Sequence, residues 1–484
     1  MNKGFTEKKL VFNQHLIDFI DEGTTPLDYV KRVISDYNLS DKDDPFYVMD
    51  VGEVLRKHAE WCEELPRVKP YYAVKCNNNP ILLAILAHVG CSFDCASIRE
   101  IESVMGLGVG PNRIIYANPC KTPSFIRQAA VRGVKMMTFD HELELTKVHK
   151  LYPHAELVLR IAVSDPTAVC QLNLKFGCDP VTVAPKLLKK AADMGVKVVG
   201  ISFHVGSGCR NPAAYEEAIA HCRRLFDLGE SYGHNMYLLD IGGGFPGHNH
   251  DELTFPKVAA VINNSLSIHF PPECGVDIIG EPGRFYATSA YTLCVNIIAR
   301  NDVPASKITK DEADCNEPGF MYYVNDGVYG SFNNIMFDHA VPKPTTFKKP
   351  TEPQYWSAVW GPTCDSMDCV LPKELLPQME EGEWIVFENM GAYTMAASSE
   401  FNGFQRPNIY YIITEKDAAL LTHAVRRSLS CDEPMANVPL PYVPSLPMDE
   451  ESDPSSGYLT DADPALAITY SDFVGHRDEN ELDY

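Results

Sequence analysis

The chain of 484 residues is too long for one ordinary domain, and 45% hydrophobic with 22% charged residues is typical of a globular protein. Its formal net charge of −23 opposes binding to nucleic acids and to anionic membranes, because both carry negative phosphate groups. The sequence shows no secretory signal and no apolar run long enough to cross a membrane. We therefore expect a cytoplasmic protein whose 15 cysteines are reduced thiols.

Short apolar runs alternate with amphipathic stretches through the first 285 residues. This alternation predicts right-handed βαβ units and a parallel sheet, and a count of eight strands favours a closed (β/α)8 barrel. An open, doubly wound sheet is the alternative that counting alone leaves open. The predicted strands are 71–75, 92–95, 114–118, 136–140, 158–163, 199–206, 237–244 and 277–284, and the predicted helices include 98–106, 124–131, 141–151, 184–194 and 213–232.

After residue 285 the pattern changes to strands with few helical periods between them. Predicted strands cover 291–299, 319–324, 356–360, 384–387 and 408–413. We expect residues 46–285 to form the barrel and residues 286–430 to form a mainly β domain, completed by the N-terminal segment 1–45. Residues 431–484 are acidic and contain many prolines and serines, so this tail is predicted to be disordered.

Polar and ionisable residues follow most of the predicted barrel strands. Because the carboxyl ends of barrel strands meet at one mouth, these side chains are expected to form one ring of site residues. Each of them also has an ordinary structural explanation, such as a helix cap, a turn glycine or a solvated lysine at the rim. The ring comprises Lys75, Asp94, Arg160, His204, Gly242, Gly243, Gly244, Glu281 and Arg284.

Two parts of this ring suggest particular chemistry. A lysine such as Lys75 inside a barrel mouth can form a Schiff base, because desolvation lowers its pKa. Barrels often bind phosphate at the loops after the seventh and eighth strands, where Gly242–Gly244 and Arg284 stand. The pairs Cys91 with Cys95 and Cys364 with Cys369 lack zinc-finger spacing, so no metal site is predicted.

Seven segments resemble the eukaryotic ornithine decarboxylase family of pyridoxal-phosphate enzymes, in family order along the chain. The resemblance implies a barrel joined to a C-terminal mainly β domain, called fold type III in this cofactor class. It also implies the first step of polyamine biosynthesis, the decarboxylation of L-ornithine to putrescine and CO2. The segments are residues 72–77 (YAVKCN), 93–97 (FDCAS), 203–208 (FHVGSG), 240–247 (DIGGGFPG), 281–284 (EPGR), 360–365 (WGPTCD) and 388–394 (ENMGAYT).

The resemblance assigns a role in cofactor binding to most of the ring. Lys75 matches the lysine that holds pyridoxal 5′-phosphate covalently, and Glu281 matches the glutamate that keeps the pyridine nitrogen protonated. His204 matches the residue that stacks on the cofactor ring, and Asp94, Glu100 and Arg160 match residues that orient the lysine and the ring's phenolic oxygen. The phosphate cradle is implied at Ser207, Gly244, Pro282, Gly283, Arg284 and Tyr393.

The resemblance also implies that two subunits of a homodimer share each site. Cys364, contributed by the partner subunit, matches the residue that protonates the substrate α-carbon. Asp338 and Asp365 match the carboxylates that receive the distal ammonium of a small cationic amino acid. Phe337 stands beside this pair, where many relatives have tyrosine.

Two other functions fit the same motifs. A decarboxylase that prefers lysine or another basic amino acid would use the same machinery, because one methylene is worth only about 1–3 kcal/mol of discrimination. A non-enzymatic protein of the antizyme-inhibitor type would keep the fold and lose cofactor residues. Residues 118–144 resemble the antizyme-binding segment of animal family members, which makes antizyme a candidate partner.

Overall fold

The computed structural model describes residues 5–163, 174–248 and 253–430, and the predicted tail lies outside them. Eight parallel strands close into a barrel in the order β10-β11-β4-β5-β6-β7-β8-β9, which confirms the predicted fold class. These strands are β4 (Val68–Ala73), β5 (Ser92–Cys95), β6 (Ile114–Tyr116), β7 (Met136–Phe139), β8 (Glu156–Arg160), β9 (Val198–Ser202), β10 (Leu238–Asp240) and β11 (Asp277–Gly280).

Helices follow each barrel strand and cover the outside of the barrel. Their starts carry ordinary caps: the Asn79 side chain accepts hydrogen bonds from Ile81 N–H and Leu82 N–H, and Ser97 accepts one from Glu100 N–H. The helices of this part are α2 (Val51–Glu64), α3 (Pro80–His88), α4 (Ile98–Met105), α5 (Pro123–Val131), α6 (Glu142–Leu151), α7 (Ala184–Asp193), α8 (Ala213–Ser231), α9 (Phe255–His269) and α10 (Arg284–Ala287), with 3-10 turns at Val74–Cys76, Pro111–Arg113 and Pro272–Cys274.

A 10-stranded sheet combines both ends of the described chain. Its path is β1 (Phe5–Phe12), β2 (His15–Ile20), β18 (Asn408–Thr414), β3 (Phe46–Asp50), β12 (Tyr291–Pro304), β13 (Pro318–Val324), β15 (Gln354–Trp360) and β16 (Cys369–Pro377), while β17 (Trp384–Phe387) pairs with β12 and with β14 (Pro344–Thr346). The helices around it are α1 (Pro26–Ser40), α11 (Ser306–Thr309), α12 (Asn333–Phe337) and α13 (Glu415–Ser430), with 3-10 turns at Glu312–Asp314, Met395–Ala397 and Phe401–Gly403.

The structure differs from the predicted strands mainly at their carboxyl ends. The strand predicted to end at Lys75 ends at Ala73, and Lys75 lies in the 3-10 turn Val74–Cys76. The runs predicted to reach residues 206 and 244 end at 202 and 240, because Gly206, Gly242 and Gly244 adopt positive φ angles that a strand does not use.

Strands β14 and β16 did not stand out in the sequence. Strand β3 pairs with β12 and β18 in the sheet rather than with any barrel strand. The division of the chain at residues 46 and 286 stays a prediction. Within the described ranges, no helix is both long and apolar enough to traverse a lipid bilayer.

Side chains alternate between two faces along each barrel strand. Leu157 and Leu159 of β8 pack in the large core under the helices, whereas Val158 belongs to a separate buried cluster. That cluster draws on strands from all around the barrel and therefore fills its interior. Its buried members are Tyr71, Ile115, Ala117, Val158, Val199, Leu238 and Ile279.

Candidate active site at the mouth of the barrel

The same alternation that points apolar side chains into the barrel also points polar side chains inward at the carboxyl ends of the strands. Arg160 lies two residues after Val158, and Asp240 lies two residues after Leu238, so both point inward one layer closer to the carboxyl ends. Asp94 of β5 follows the outward-facing Phe93 and is fully buried. Three ionisable groups therefore line the inside of the barrel just below its mouth.

Lys75 stands above this layer and pairs with it. Its Nζ atom donates a hydrogen bond to Asp94 Oδ2, and its side chain is 39% exposed. Burial of the amine acts to lower the pKa of Lys75, as the sequence led us to expect, but the negative charges of Asp94 and Glu281 outweigh burial. The pKa of Lys75 is therefore raised, and the expected lowering is wrong. The amine of Lys75 is thus held by the buried carboxylate of Asp94 and is still accessible to a ligand from the mouth of the barrel.

Two further carboxyl groups, Asp240 and Glu281, stand at the ends of β10 and β11, on the other side of β4 from Asp94. Asp240 Oδ1 accepts a hydrogen bond from Gly242 N–H at 2.9 Å, and Glu281 N–H donates to Gly242 O at 2.6 Å. Burial raises the pKa of Asp240 to about 7. Burial, together with the charges of Asp240 and Asp94, also raises the pKa of Glu281. The three carboxyl groups of Asp94, Asp240 and Glu281 outnumber the two cations beside them, Lys75 and Arg160. This excess of acidic groups suits a ligand that brings a positive charge.

His204 follows β9 and its ring is held by its own loop. Gly206 N–H lies 3.0 Å from His204 Nδ1, so Nδ1 is the acceptor and a neutral ring carries its proton on Nε2. Burial, followed by the positive charges of Arg160 and Lys75, lowers the pKa of His204 well below its usual range. The ring is therefore a neutral, flat surface at neutral pH.

Gly242 and Gly244 allow the backbone to approach closely beside His204. A Cβ atom on Gly242 would lie 2.1 Å from Phe203 O, and one on Gly244 would lie 2.6 Å from Val205 Cγ2. Gly244 also has a φ of +109°, which side-chain-bearing residues rarely adopt. Only glycine fits at these two positions.

Arg284 brings a fixed positive charge to the same place. One Nη2 atom of Arg284 donates to Ser207 Oγ at 2.9 Å and to both carboxylate oxygens of Asp338, at 2.6 and 2.8 Å. The guanidinium also lies 5.1 Å from the centre of the Tyr393 ring. Arg284, Ser207 and the glycine loop, here called the cradle, thus offer a positive charge, a hydroxyl group and close approach of the backbone, which are the features that an anion would need.

The cradle is tied directly to the segment that carries Lys75. A Cβ atom on Gly283 would lie 2.8 Å from Cys76 Cβ, and Pro282 O accepts a hydrogen bond from Ala73 N–H at 3.3 Å. Tyr393 N–H donates to Cys76 O at 2.9 Å. These backbone contacts fix the distance between the lysine and the cradle.

The other residues proposed to orient the cofactor lie nearby. The Arg160 guanidinium lies 5.4 Å from the centre of the Phe176 ring. Glu100 accepts a hydrogen bond from Ala96 N–H at 2.5 Å, and burial raises the pKa of its carboxyl group. Glu100 therefore supports the backbone two residues after Asp94.

Cys364 and Asp365 form a separate group, on the loop between β15 and β16. Cys364 is exposed and its N–H lies 3.5 Å from Asn402 Oδ1, while Asp365 accepts a hydrogen bond from Tyr329 OH. Across 5–163, 174–248 and 253–430, no hydrogen bond or ion pair joins these two residues to the barrel group. Phe337 ends α12 with 71% of its surface exposed.

Sequence reasoning missed Asp240 and Tyr215 as site residues. Asp240 could have been found, because it is the last residue of a buried strand directly before three glycines. Tyr215 donates a hydrogen bond to Gly243 O at 2.9 Å from within α8, and no local sequence signal distinguishes it from an ordinary core tyrosine.

Comparisons with known proteins agree with this geometry. Residues 51–288 match the family described as pyridoxal-dependent decarboxylase, pyridoxal binding domain. The chain is 52% identical to ornithine decarboxylase of Rattus norvegicus over 413 residues, which cover 85% of this chain and 88% of the relative. It is 47% identical to antizyme inhibitor 2 of Xenopus laevis over 426 residues, covering 88% and 93%.

A solved structure resembles the whole arrangement. The arginine decarboxylase of Paramecium bursaria Chlorella virus superposes with a TM-score of 0.73 at 36% sequence identity, covering 79% of this chain and 99% of that protein. The resemblance first seen in seven short segments therefore extends over most of the chain and over both parts of the fold.

Proposed function

The chain belongs to the ornithine decarboxylase family of pyridoxal-phosphate-dependent enzymes, and on that premise we propose that it converts L-ornithine to putrescine and CO2. One observation carries the proposal. The amine of Lys75 and the anion cradle of Arg284, Ser207 and Gly244 are held at a fixed separation through Cys76. This arrangement suits a ligand that has an aldehyde at one end and a phosphate at the other.

The described residues fit pyridoxal 5′-phosphate. Two buried atoms at the mouth have no hydrogen-bond partner within the described chain, Asp94 Oδ1 and Arg284 Nε. A phosphate in the cradle would satisfy Arg284 Nε, and a group bound at Lys75 would reach Asp94. Glu281 would accept a hydrogen bond from the protonated pyridine nitrogen, and a cation there would lower the raised pKa of Glu281.

Bound at this site, the cofactor supplies an electron sink for the pair of electrons left when the Cα–carboxylate bond breaks. Asp94 orients the amine of Lys75, and the neutral ring of His204 covers one flat face of the site. The buried carboxyl groups of Asp94 and Asp240, with the apolar cluster beneath them, close the barrel below and exclude water. After CO2 departs, the Cys364 thiol delivers a proton to the α-carbon.

Cys364 and Asp365 are proposed to act in the site of the partner subunit of a homodimer. Their separation from the barrel group within one chain supports this assignment. Large apolar side chains are exposed around the same loops, as expected for a surface that another subunit covers. They include Met336, Phe337, Val341, Met367, Phe401 and Phe404.

Asp338 and Asp365 are proposed to bind the distal ammonium of the substrate. A pair of carboxylates favours a cationic side chain, because an uncharged one would leave buried acceptors unpaired. Asp338 is buried beside the cradle, whereas Asp365 lies on the separate loop. Ornithine therefore bridges two groups that only a dimer brings together.

The rival function is that of a binding protein of the antizyme-inhibitor type. This chain retains the lysine, the cradle arginine, the pyridine-facing glutamate and the proton-donating cysteine, which favours the enzyme. Antizyme remains a proposed partner through residues 118–144, and the cytoplasm remains the proposed location.

Purified protein incubated with ornithine, lysine or arginine, with CO2 and diamine quantified, tests the proposal. We expect ornithine to give the highest kcat/KM. No CO2 from any of the three, with no absorbance from bound cofactor, would select the binding protein instead. A higher kcat/KM for lysine would select the other decarboxylase.

A further inference from the structure

A group of side chains that could hold a metal ion lies outside the site described above. One ligand atom from each of Cys120, Asp140 and His141 lies within 4.8 Å of the other two. Cys120 is exposed, His141 is half-buried and Asp140 is buried. A thiol, a carboxylate and an imidazole in one place are a set of donors typical of zinc in proteins.

Neighbouring strands bring these residues together. Asp140 directly follows β7, and His141 precedes the first residue of α6. Cys120 lies in the loop after β6, which pairs in parallel with β7 through Tyr116 and Met137. Asp140 and His141 lie 20 and 21 positions after Cys120 in sequence, which is why the spacing of cysteine pairs gave no sign of a metal site.

The carboxylate is already oriented for binding. Asp140 Oδ2 accepts a hydrogen bond from Gly177 N–H at 2.8 Å, while Asp140 Oδ1 lies 2.9 Å from His141 Nδ1. Two ligands about 2.1 Å from a tetrahedral ion lie about 3.4 Å apart, so this hydrogen-bonded pair would have to separate by only about 0.5 Å to admit the ion. The Gly177 contact corresponds to the outer hydrogen bonds that hold carboxylate ligands of metals in place.

Two lysines lie near the proposed ligands, and both are paired with the buried carboxylate of Glu144. Lys121 and Lys147 both form ion pairs with Glu144, with Nζ–O distances of 2.9 and 2.5 Å. Their charges therefore oppose a metal less than free lysines would. The positive end of α6 opposes it as well, but it acts at the distance of the first helical turn and not through a direct bond.

We propose that Cys120, Asp140 and His141 bind one Zn²⁺ ion, with water at the fourth position. On binding, the thiol loses its proton to solvent and the ion replaces the proton between Asp140 and His141. The ion would tie the loop after β6 to the start of α6. This site is independent of the decarboxylase proposal, because none of its three ligands belongs to the barrel-mouth group.

Equilibrium dialysis of the cofactor-loaded protein against buffered Zn²⁺ tests the proposal, with bound metal counted by elemental analysis. We expect the wild-type protein to hold one more zinc ion per chain than Cys120→Ser or His141→Gln. Matched controls are Cys274→Ser and His154→Gln, which change an exposed cysteine and an exposed histidine elsewhere. Both controls should keep the wild-type zinc content.

X-ray absorption at the zinc edge adds a readout that does not depend on counting. A sulfur ligand should be present in the wild-type spectrum and absent in Cys120→Ser, while circular dichroism confirms that each variant is folded. Equal zinc content in the wild type and both ligand variants, or a bound zinc without sulfur, would overturn the proposal.

Discussion

Arg284 forms an ion pair with Asp338 in which a single nitrogen, Nη2, lies 2.6 and 2.8 Å from the two carboxylate oxygens. The arginine belongs to the proposed phosphate cradle and the aspartate to the proposed substrate site. Although burial acts to lower it, the charge of Asp338 raises the pKa of Arg284. Asp338, which is proposed to bind the substrate ammonium, is thus paired with Arg284, which is proposed to bind the cofactor phosphate.

This pairing predicts two opposite effects of Asp338→Asn. The affinity of the cofactor-free protein for pyridoxal phosphate should rise, because Arg284 loses a competing anion. The kcat/KM for ornithine should fall roughly 10–100-fold, since a charged hydrogen bond is worth about 1.5–3 kcal/mol. Titration with pyridoxal phosphate measures the first effect, and steady-state kinetics with ornithine measures the second.

A matched control is Asp302→Asn, because Asp302 is exposed and forms a similar ion pair with Arg300 away from the site. Weaker cofactor binding in Asp338→Asn would be inconsistent with competition.

Gly244→Ala should impair cofactor binding. The new Cβ would lie 2.6 Å from Val205 Cγ2 and 2.9 Å from Gly206 O, in addition to the strain at a φ of +109°. Backbone strain of this kind costs about 1–3 kcal/mol. We expect the dissociation constant for pyridoxal phosphate to rise at least roughly 10-fold, corresponding to about 1.4 kcal/mol.

Gly233→Ala is a matched control for Gly244→Ala. Gly233 has a φ of +90°, but a Cβ there meets no atom within 4 Å. It should lose stability from backbone strain while its cofactor affinity stays unchanged. Equal loss of cofactor affinity in both variants would show that strain alone, and not the shape of the cradle, is responsible.

Asp240 should make the stability of the cofactor-free protein depend on pH. Burial raises its pKa from 3.8 to about 7, so the folded state binds a proton more strongly than the unfolded state. Its contribution is complete below pH 3.8 and is lost as the pH rises to about 7, by at most about 1.4 kcal/mol per pH unit, and the loss levels off above that pH.

The variant Asp240→Asn tests this effect, because the amide oxygen can still accept the hydrogen bond from Gly242 N–H. It also removes the part of the raised pKa of Glu281 that the charge of Asp240 causes, and this changes the pH dependence in the same direction. Relative to the wild type, its free energy of unfolding should increase between pH 4 and 7, measured by urea unfolding. Taking the difference removes the opposite slope expected of His58, whose pKa burial lowers to about 4. A difference that is constant with pH would contradict the raised pKa.

Shared sites predict complementation between inactive variants. Lys75→Ala and Cys364→Ala should each be inactive alone. Mixed in equal amounts and allowed to exchange subunits, they should recover roughly a quarter of the wild-type activity, because half the dimers are mixed and each has one intact site. Sedimentation confirms the dimer. Mixtures as inactive as their components would place both residues in the same chain's site.

The sequence was sufficient for the barrel, and it placed Lys75, Asp94, Arg160, His204 and Glu281 at or just after the ends of barrel strands, although it missed Asp240. All eight barrel strands were predicted, because buried parallel strands are short apolar runs with polar residues at their ends. Lys75 was nonetheless predicted to end the strand, whereas it lies in the 3-10 turn that follows. A 3-10 turn after an apolar strand has no sequence signal of its own. Strand β16 was missed because its exposed and buried positions do not alternate strictly.

Relationships between distant segments could not be predicted. Nothing in the local sequence joins Asp338 to Arg284, which are 54 residues apart. The contact arises only when α12 of the sheet domain comes to lie over the barrel mouth. The separation of Cys364 and Asp365 from the other site residues likewise follows from the tertiary fold.

The central claim is that Lys75 carries the cofactor, and borohydride reduction of the cofactor-loaded protein tests it most directly. Peptide mapping should find the phosphopyridoxyl group on Lys75, and Lys75→Ala should produce no putrescine. A label on another lysine, or diamine production at the wild-type rate by Lys75→Ala, would contradict this account.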